Sequence, residues 1–119
     1  MWILILIVIL MIYLCCNNKY EYFGQVKKYN LCVMAIFKNE GEYLEEWLKH
    51  HINQGISHFY LFSNDDKMYN YPYLDLYKDY VTLIDWTNKK NNGSDTIQRQ
   101  AYYYCVQHYS KDCEYLMML

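Results

Sequence analysis

The chain is poor in the residues that mark nucleotide-binding turns, with one proline, Pro72, and four glycines in 119 residues. No GxGxxG follows an apolar run and no GxxxxGK[ST] occurs. These absences argue against a dinucleotide-binding dehydrogenase and a P-loop phosphotransferase. A GxSxG elbow is missing as well, which removes the usual hydrolase arrangement. Positive charge is not in excess: the formal net charge is -2, and the lysines are scattered rather than gathered into a stripe. Composition therefore gives no electrostatic case for a nucleic-acid partner. Cys15, Cys16, Cys32, Cys105 and Cys113 form no CxxC pair, so neither a zinc knuckle nor a disulfide framework follows. Cys32, Cys105 and Cys113 sit among apolar neighbours, where a buried thiol is the ordinary occupant.

What the chain has in abundance is apolar sequence at its start. Met1–Cys16, MWILILIVILMIYLCC, carries no charged side chain. An apolar helix is expected there, acting as a membrane anchor or signal segment. Its sixteen residues would rise roughly 24 Å, short of the ~30 Å hydrocarbon core. No Ala-x-Ala follows, which favours an uncleaved single-pass anchor over a removed signal. Lys19, Lys27 and Lys28 all lie after the run, and the positive-inside rule taken literally keeps the following domain cytoplasmic. The sequon Asn92-Gly93-Ser94 would be modified only in a secretory lumen, so the side of the membrane stays open. Residues 17–30 are polar and aperiodic and read as a stem. The sixteen tyrosines, with abundant Asn, Lys and Ile, fit an AT-rich coding sequence rather than a stacking platform.

The domain is placed at residues 31–119. Leu31–Phe37 is a continuous apolar run of strand length, the pattern of a strand covered on both faces. After Lys38, Asn39 as cap and Glu42 in the first turn fit a helix start. Tyr43, Leu44, Trp47, Leu48, His51 and Ile52 form its buried stripe, and Gly55 ends it in a left-handed conformation. His58–Phe62 reads as a second strand, followed by the polar turn Ser63-Asn64-Asp65-Asp66. A tyrosine-rich stretch with one short helix comes next, then a strand at Tyr80–Trp86 and a loop at Asn88–Ser94. Asp95 or Ser94 is expected to cap a helix whose apolar face runs through Ile97, Ala101, Tyr104, Cys105 and His108. Cys113–Leu119 is the fourth strand. The order implies an α/β fold built on a parallel sheet. His50 and His51 lie about 100° apart on their helix and cannot both face one ion undistorted, so core or surface roles suit them and His58 better than metal binding.

In such a sheet, ligands sit beyond the carboxyl ends of strands where the strand order reverses. That places the Lys38-Asn39-Glu40 turn at the candidate site, beside whatever follows Leu119.

Ala35-Ile36-Phe37-Lys38-Asn39-Glu40, Tyr43-Leu44-Glu45-Glu46-Trp47, His51 with Gly55, and His58-Phe59-Tyr60-Leu61 together resemble the N-terminal half of family 2-like and family 92 glycosyltransferases. The resemblance implies a partial glycosyltransferase-A, Rossmann-like sheet that binds a nucleotide-sugar donor and transfers its sugar to an acceptor. It makes Lys38, Asn39, Glu40, Asn64, Asp66 and Gln98 the donor-binding candidates. Lys38 would offset diphosphate charge; Asn39 and Glu40 would bind base or ribose, or cap the helix. Ser63 stands where the family turn often begins with Asp, with Asp66 as the compensating carboxylate. The family also implies a divalent ion, Mn or Mg, held by an Asp-x-Asp after a strand such as Tyr115–Leu119. The chain ends one residue before that motif, so no ligand to the ion is expected within it and activity on its own is not expected. The competing reading is a non-catalytic remnant or membrane-anchored interaction module.

Overall fold

The computed structural model describes the backbone of residues 1–22 and 26–119, and the side chains of residues 1–14 and 26–119. An N-terminal helix α1 (Trp2–Tyr22) precedes strand β1 (Tyr29–Phe37), helix α2 (Gly41–Asn53) and strand β2 (His58–Ser63). A 3-10 turn (Pro72–Tyr77), strand β3 (Val81–Asp85), helix α3 (Ile97–Tyr109), a second 3-10 turn (Ser110–Asp112) and strand β4 (Cys113–Met118) follow. The four strands form one parallel sheet in the order β3-β2-β1-β4. Register is set by pairs such as Ala35 with Leu61, Phe37 with Ser63 and Met34 with Met118.

Alternation along β1 sends neighbouring side chains to opposite faces. Val33 and Phe37 join Leu44 and Leu48 of α2, with Phe59 and Leu61 of β2, in one buried cluster. Met34 joins Tyr60 and Phe62 of β2, Ala101 and Cys105 of α3 and Cys113 of β4 in the other. The α/β expectation with a parallel sheet is therefore met, and the unbroken apolar run of β1 is explained by a helix on each face. Gly55 has φ +96°, the left-handed end expected of α2.

Some local expectations are corrected. Tyr43 is 67% exposed, so the buried stripe of α2 is narrower than its apolar residues suggest. His108 is exposed and stacks on Tyr104 at 3.9 Å instead of entering the core. Asn39 does not cap α2: the cap position is Glu40, and no side chain caps the helix. Thr96, not Asp95 or Ser94, caps α3, its hydroxyl accepting the Arg99 N–H at 3.2 Å. The stem assigned to residues 17–30 is shortened at both ends, because α1 runs to Tyr22 and β1 begins at Tyr29. Residues 23–25 of that stem lie outside the described residues.

The single-pass anchor expected of residues 1–16 is not supported, since no helix among the described residues is long and apolar enough to cross a membrane. α1 has 21 residues, but the apolar stretch of its sequence stops at Cys16, and sixteen residues rise only roughly 24 Å against a ~30 Å core.

Candidate functional site

Because all four strands are parallel, their carboxyl ends share one edge. α2 leads from β1 to β2 on one face of the sheet, and α3 leads from β3 to β4 on the other. The strand order thus reverses between β1 and β4, and residues 38–40 leave the sheet at that point.

The turn is held from the neighbouring strand end. Asn39 has φ 56°, a left-handed conformation uncommon outside glycine. Its backbone N–H donates to Asp65 Oδ1 at 2.6 Å. Asp65 Oδ2 accepts from the Ser63 hydroxyl at 3.2 Å and from the Tyr71 hydroxyl. The Asn64 N–H donates to the Phe37 carbonyl at 2.9 Å, and Lys38 pairs with Asp66 at 3.1 Å. That last pair is exposed and adds little stability. Asp65 itself is 1% exposed. Burial alone would raise its pKa, but the Asn39 N–H, the Tyr71 and Ser63 hydroxyls and the Lys38 charge outweigh burial and hold it below the ordinary carboxylate value. Burial, then the Asp65 carboxylate, push Tyr71 above its ordinary value, so the hydroxyl stays protonated and donates.

The start of α2 lies against a tyrosine cluster. The Tyr71 ring packs on Gly41 where a Cβ would stand, and the Tyr73 hydroxyl donates to the Gly41 carbonyl. Tyr43 N–H turns back to the Glu40 carbonyl at 3.0 Å. Among the described residues, the N–H groups of Gly41 and Glu42 take no partner, so the positive end of the helix is open. A cleft of about 440 Å³ beside it is lined by Asn39, Glu42, Asp65, Tyr69, Tyr71 and Tyr73. A second, more apolar cavity of about 500 Å³ lies between Phe37, Glu40, Tyr43, Trp47 and Leu119.

Of the sequence candidates, Lys38, Asn39, Asn64 and Asp66 are brought together around the two strand ends. Glu40 lines the apolar cavity beside them. Gln98 is occupied elsewhere, its amide donating to the Tyr102 hydroxyl one turn along α3. Sequence reasoning missed Asp65 and Tyr71 as the groups that hold the turn. The carboxylate that backs Ser63 is Asp65, whereas Asp66 is exposed and turned to Lys38. One signal was available: Asp65 follows the apolar run Phe59–Phe62 by only three positions, close enough to fold back over the strand end.

Chemically, the exposed charges carried by the turn and the two residues after it are Lys38, Glu40 and Glu42, with Asp66 paired to Lys38, so carboxylates outnumber cations there. This charge balance suits partners that donate hydrogen bonds, such as ribose hydroxyls or a base N–H, better than an unshielded diphosphate. The divalent ion implied by the family finds no fit here: among the described residues no group of three His, Cys, Asp or Glu could hold one. Both Asp65 oxygens take protein hydrogen bonds and Asp66 is paired.

No curated protein and no solved structure gives a significant match to the chain. The family model described as glycosyltransferase family 92 matches residues 27–119, more than three quarters of the sequence and the whole of the sheet with both of its covering helices. With the reversal of strand order at β1 and the turn built upon it, this match settles the family: the chain belongs to glycosyltransferase family 92.

Proposed function

We propose that residues 31–119 bind the nucleoside end of a nucleotide-sugar donor at the carboxyl edge of the sheet, in the service of sugar transfer to an acceptor. The observation that carries this reading is the left-handed Asn39 turn, held by a buried carboxylate where the strand order reverses. Lys38, Asn39, Glu40, Asn64 and Asp66 offer donors and acceptors to ribose and base around it, and the Tyr69 and Tyr73 rings of the neighbouring cleft offer flat apolar walls. Gln98 lies at the start of α3, the helix that follows β3 at the same edge. Calorimetric titration of the full chain with UDP-sugars and GDP-sugars tests the reading. Saturable binding with one preferred base supports it; no heat with any of them overturns it.

A second reading, a non-catalytic interaction module, is favoured by β4. This strand is at the edge of the sheet and leaves Tyr115 66%, Met117 40% and Met118 38% exposed. Sugar transfer by this chain would decide against it.

Attachment to a membrane belongs to the same proposal. Met1–Leu14 expose apolar side chains along the described start of α1, from 95% at Met1 to 49% at Leu14. Such a surface is favourably covered by lipid. Flotation with liposomes, lost on deletion of residues 1–16, is the expected result.

A further inference from the structure

We propose that Asp65 and Tyr71 are positioning residues, which preset the Lys38–Glu40 turn for the donor without touching it; the proposal rests on the donor-binding reading above. Asp65 is buried, and its two oxygens already receive three hydrogen bonds, from the Asn39 N–H, the Ser63 hydroxyl and the Tyr71 hydroxyl. A carboxylate engaged in this way has little left to offer a ligand. What it does instead is hold Asn39 at φ 56°, a conformation that a non-glycine residue keeps when its surroundings impose it.

Tyr71 completes the device from a third segment of chain. Its hydroxyl fixes the Asp65 carboxylate while its ring packs on Gly41, the first residue of α2, and meets Phe37 edge-on at 5.9 Å. The end of β1, the start of α2 and the turn after β2 are thereby joined through two side chains. A turn fixed before the ligand arrives has no ordering left to do on binding, so the lock acts on affinity through preorganisation.

The test uses the full chain in detergent micelles. Amide hydrogen exchange is followed without nucleotide, and UDP and GDP are then titrated by calorimetry, for wild type, Asp65→Asn, Tyr71→Phe and Tyr77→Phe. Tyr77 donates to Glu45 of α2 and serves as a matched hydroxyl control away from the turn. Tyr71→Phe is expected to speed exchange at the Asn39 amide by about tenfold and to weaken binding of the nucleoside diphosphate by a similar factor, with a larger effect for Asp65→Asn. Tyr77→Phe should change neither. Unchanged Asn39 exchange in both variants overturns the proposal. So does lost affinity with unchanged exchange, which would make Asp65 a direct ligand contact. Faster exchange spread equally over Val33 and Phe59 also overturns it, because that is general loosening of the sheet. If wild type binds neither UDP nor GDP, the donor-binding reading fails, while the Asn39 exchange still decides whether the lock exists.

Discussion

The backbone N–H of Asn39 donates to Oδ1 of Asp65, 26 residues further along the chain. This bond closes the carboxyl edge of the sheet across the β1–β2 boundary. Its energetics are open to measurement through acid.

Asp65 titrates below its ordinary value in the folded protein. A carboxylate of this kind contributes stability that is present above the unfolded pKa of about 3.9 and is lost as the pH falls through the folded value. Urea unfolding of wild type and Asp65→Asn should show wild type ahead near neutral pH. The gap should close as the pH drops below about 4.

His58 produces a separate pH dependence. It is 3% exposed, its Nε2 bonds the Thr82 hydroxyl at 2.8 Å, it stacks on Tyr29 at 4.0 Å, and its Nδ1 has no hydrogen-bond partner among the described residues. Burial, reinforced by the Lys28 charge, depresses its pKa. Its contribution is complete above the unfolded value of about 6.5 and falls away as the pH drops through the folded value. His58→Phe should remove the part of the stability slope that lies just below pH 6.5, as read by thermal melts across pH.

Gly41→Ala tests the packing of Tyr71. The added methyl would meet the Tyr71 ring, which is tethered by its hydroxyl to Asp65 and cannot simply swing away. A loss of about 1–3 kcal/mol is expected in chemical denaturation, the ordinary cost of overpacking.

Leu48→Ala and Tyr43→Ala form a contrast on a single helix. Leu48 is fully buried against the sheet, and its truncation should cost about 2–5 kcal/mol. Tyr43 is mostly exposed, and its truncation should stay within about 0.5 kcal/mol. Equal effects would contradict the orientation of α2.

The strands and helices were legible because their signals are local. Most of β1, Leu31–Phe37, is a continuous apolar run, and α2 carries Leu44 and Leu48 at helical spacing before Gly55. Cap positions were less legible, since Ser94, Asp95 and Thr96 are all competent caps and only the path of the preceding loop selects Thr96. The site divides in the same way. The Lys38–Glu40 turn was proposed from its place after a strand, and Asn64 and Asp66 from the family resemblance, whereas the hold of Asp65 on that turn depends on Tyr71 folding back across six residues and on Asn39 arriving from the end of another strand. Adjacent acidic residues look alike in sequence; burial separates Asp65 from Asp66.

Cys32, Cys105 and Cys113 are free thiols, all buried at the interface of β1, β4 and α3. Burial pushes the Cys105 thiol up to about 12, so it holds almost no thiolate at neutral pH. Alkylation of these sulfurs must wait until the sheet opens. Their modification, followed peptide by peptide, therefore acts as a clock for separation of β4 and α3 from β1, built into the protein without any added label.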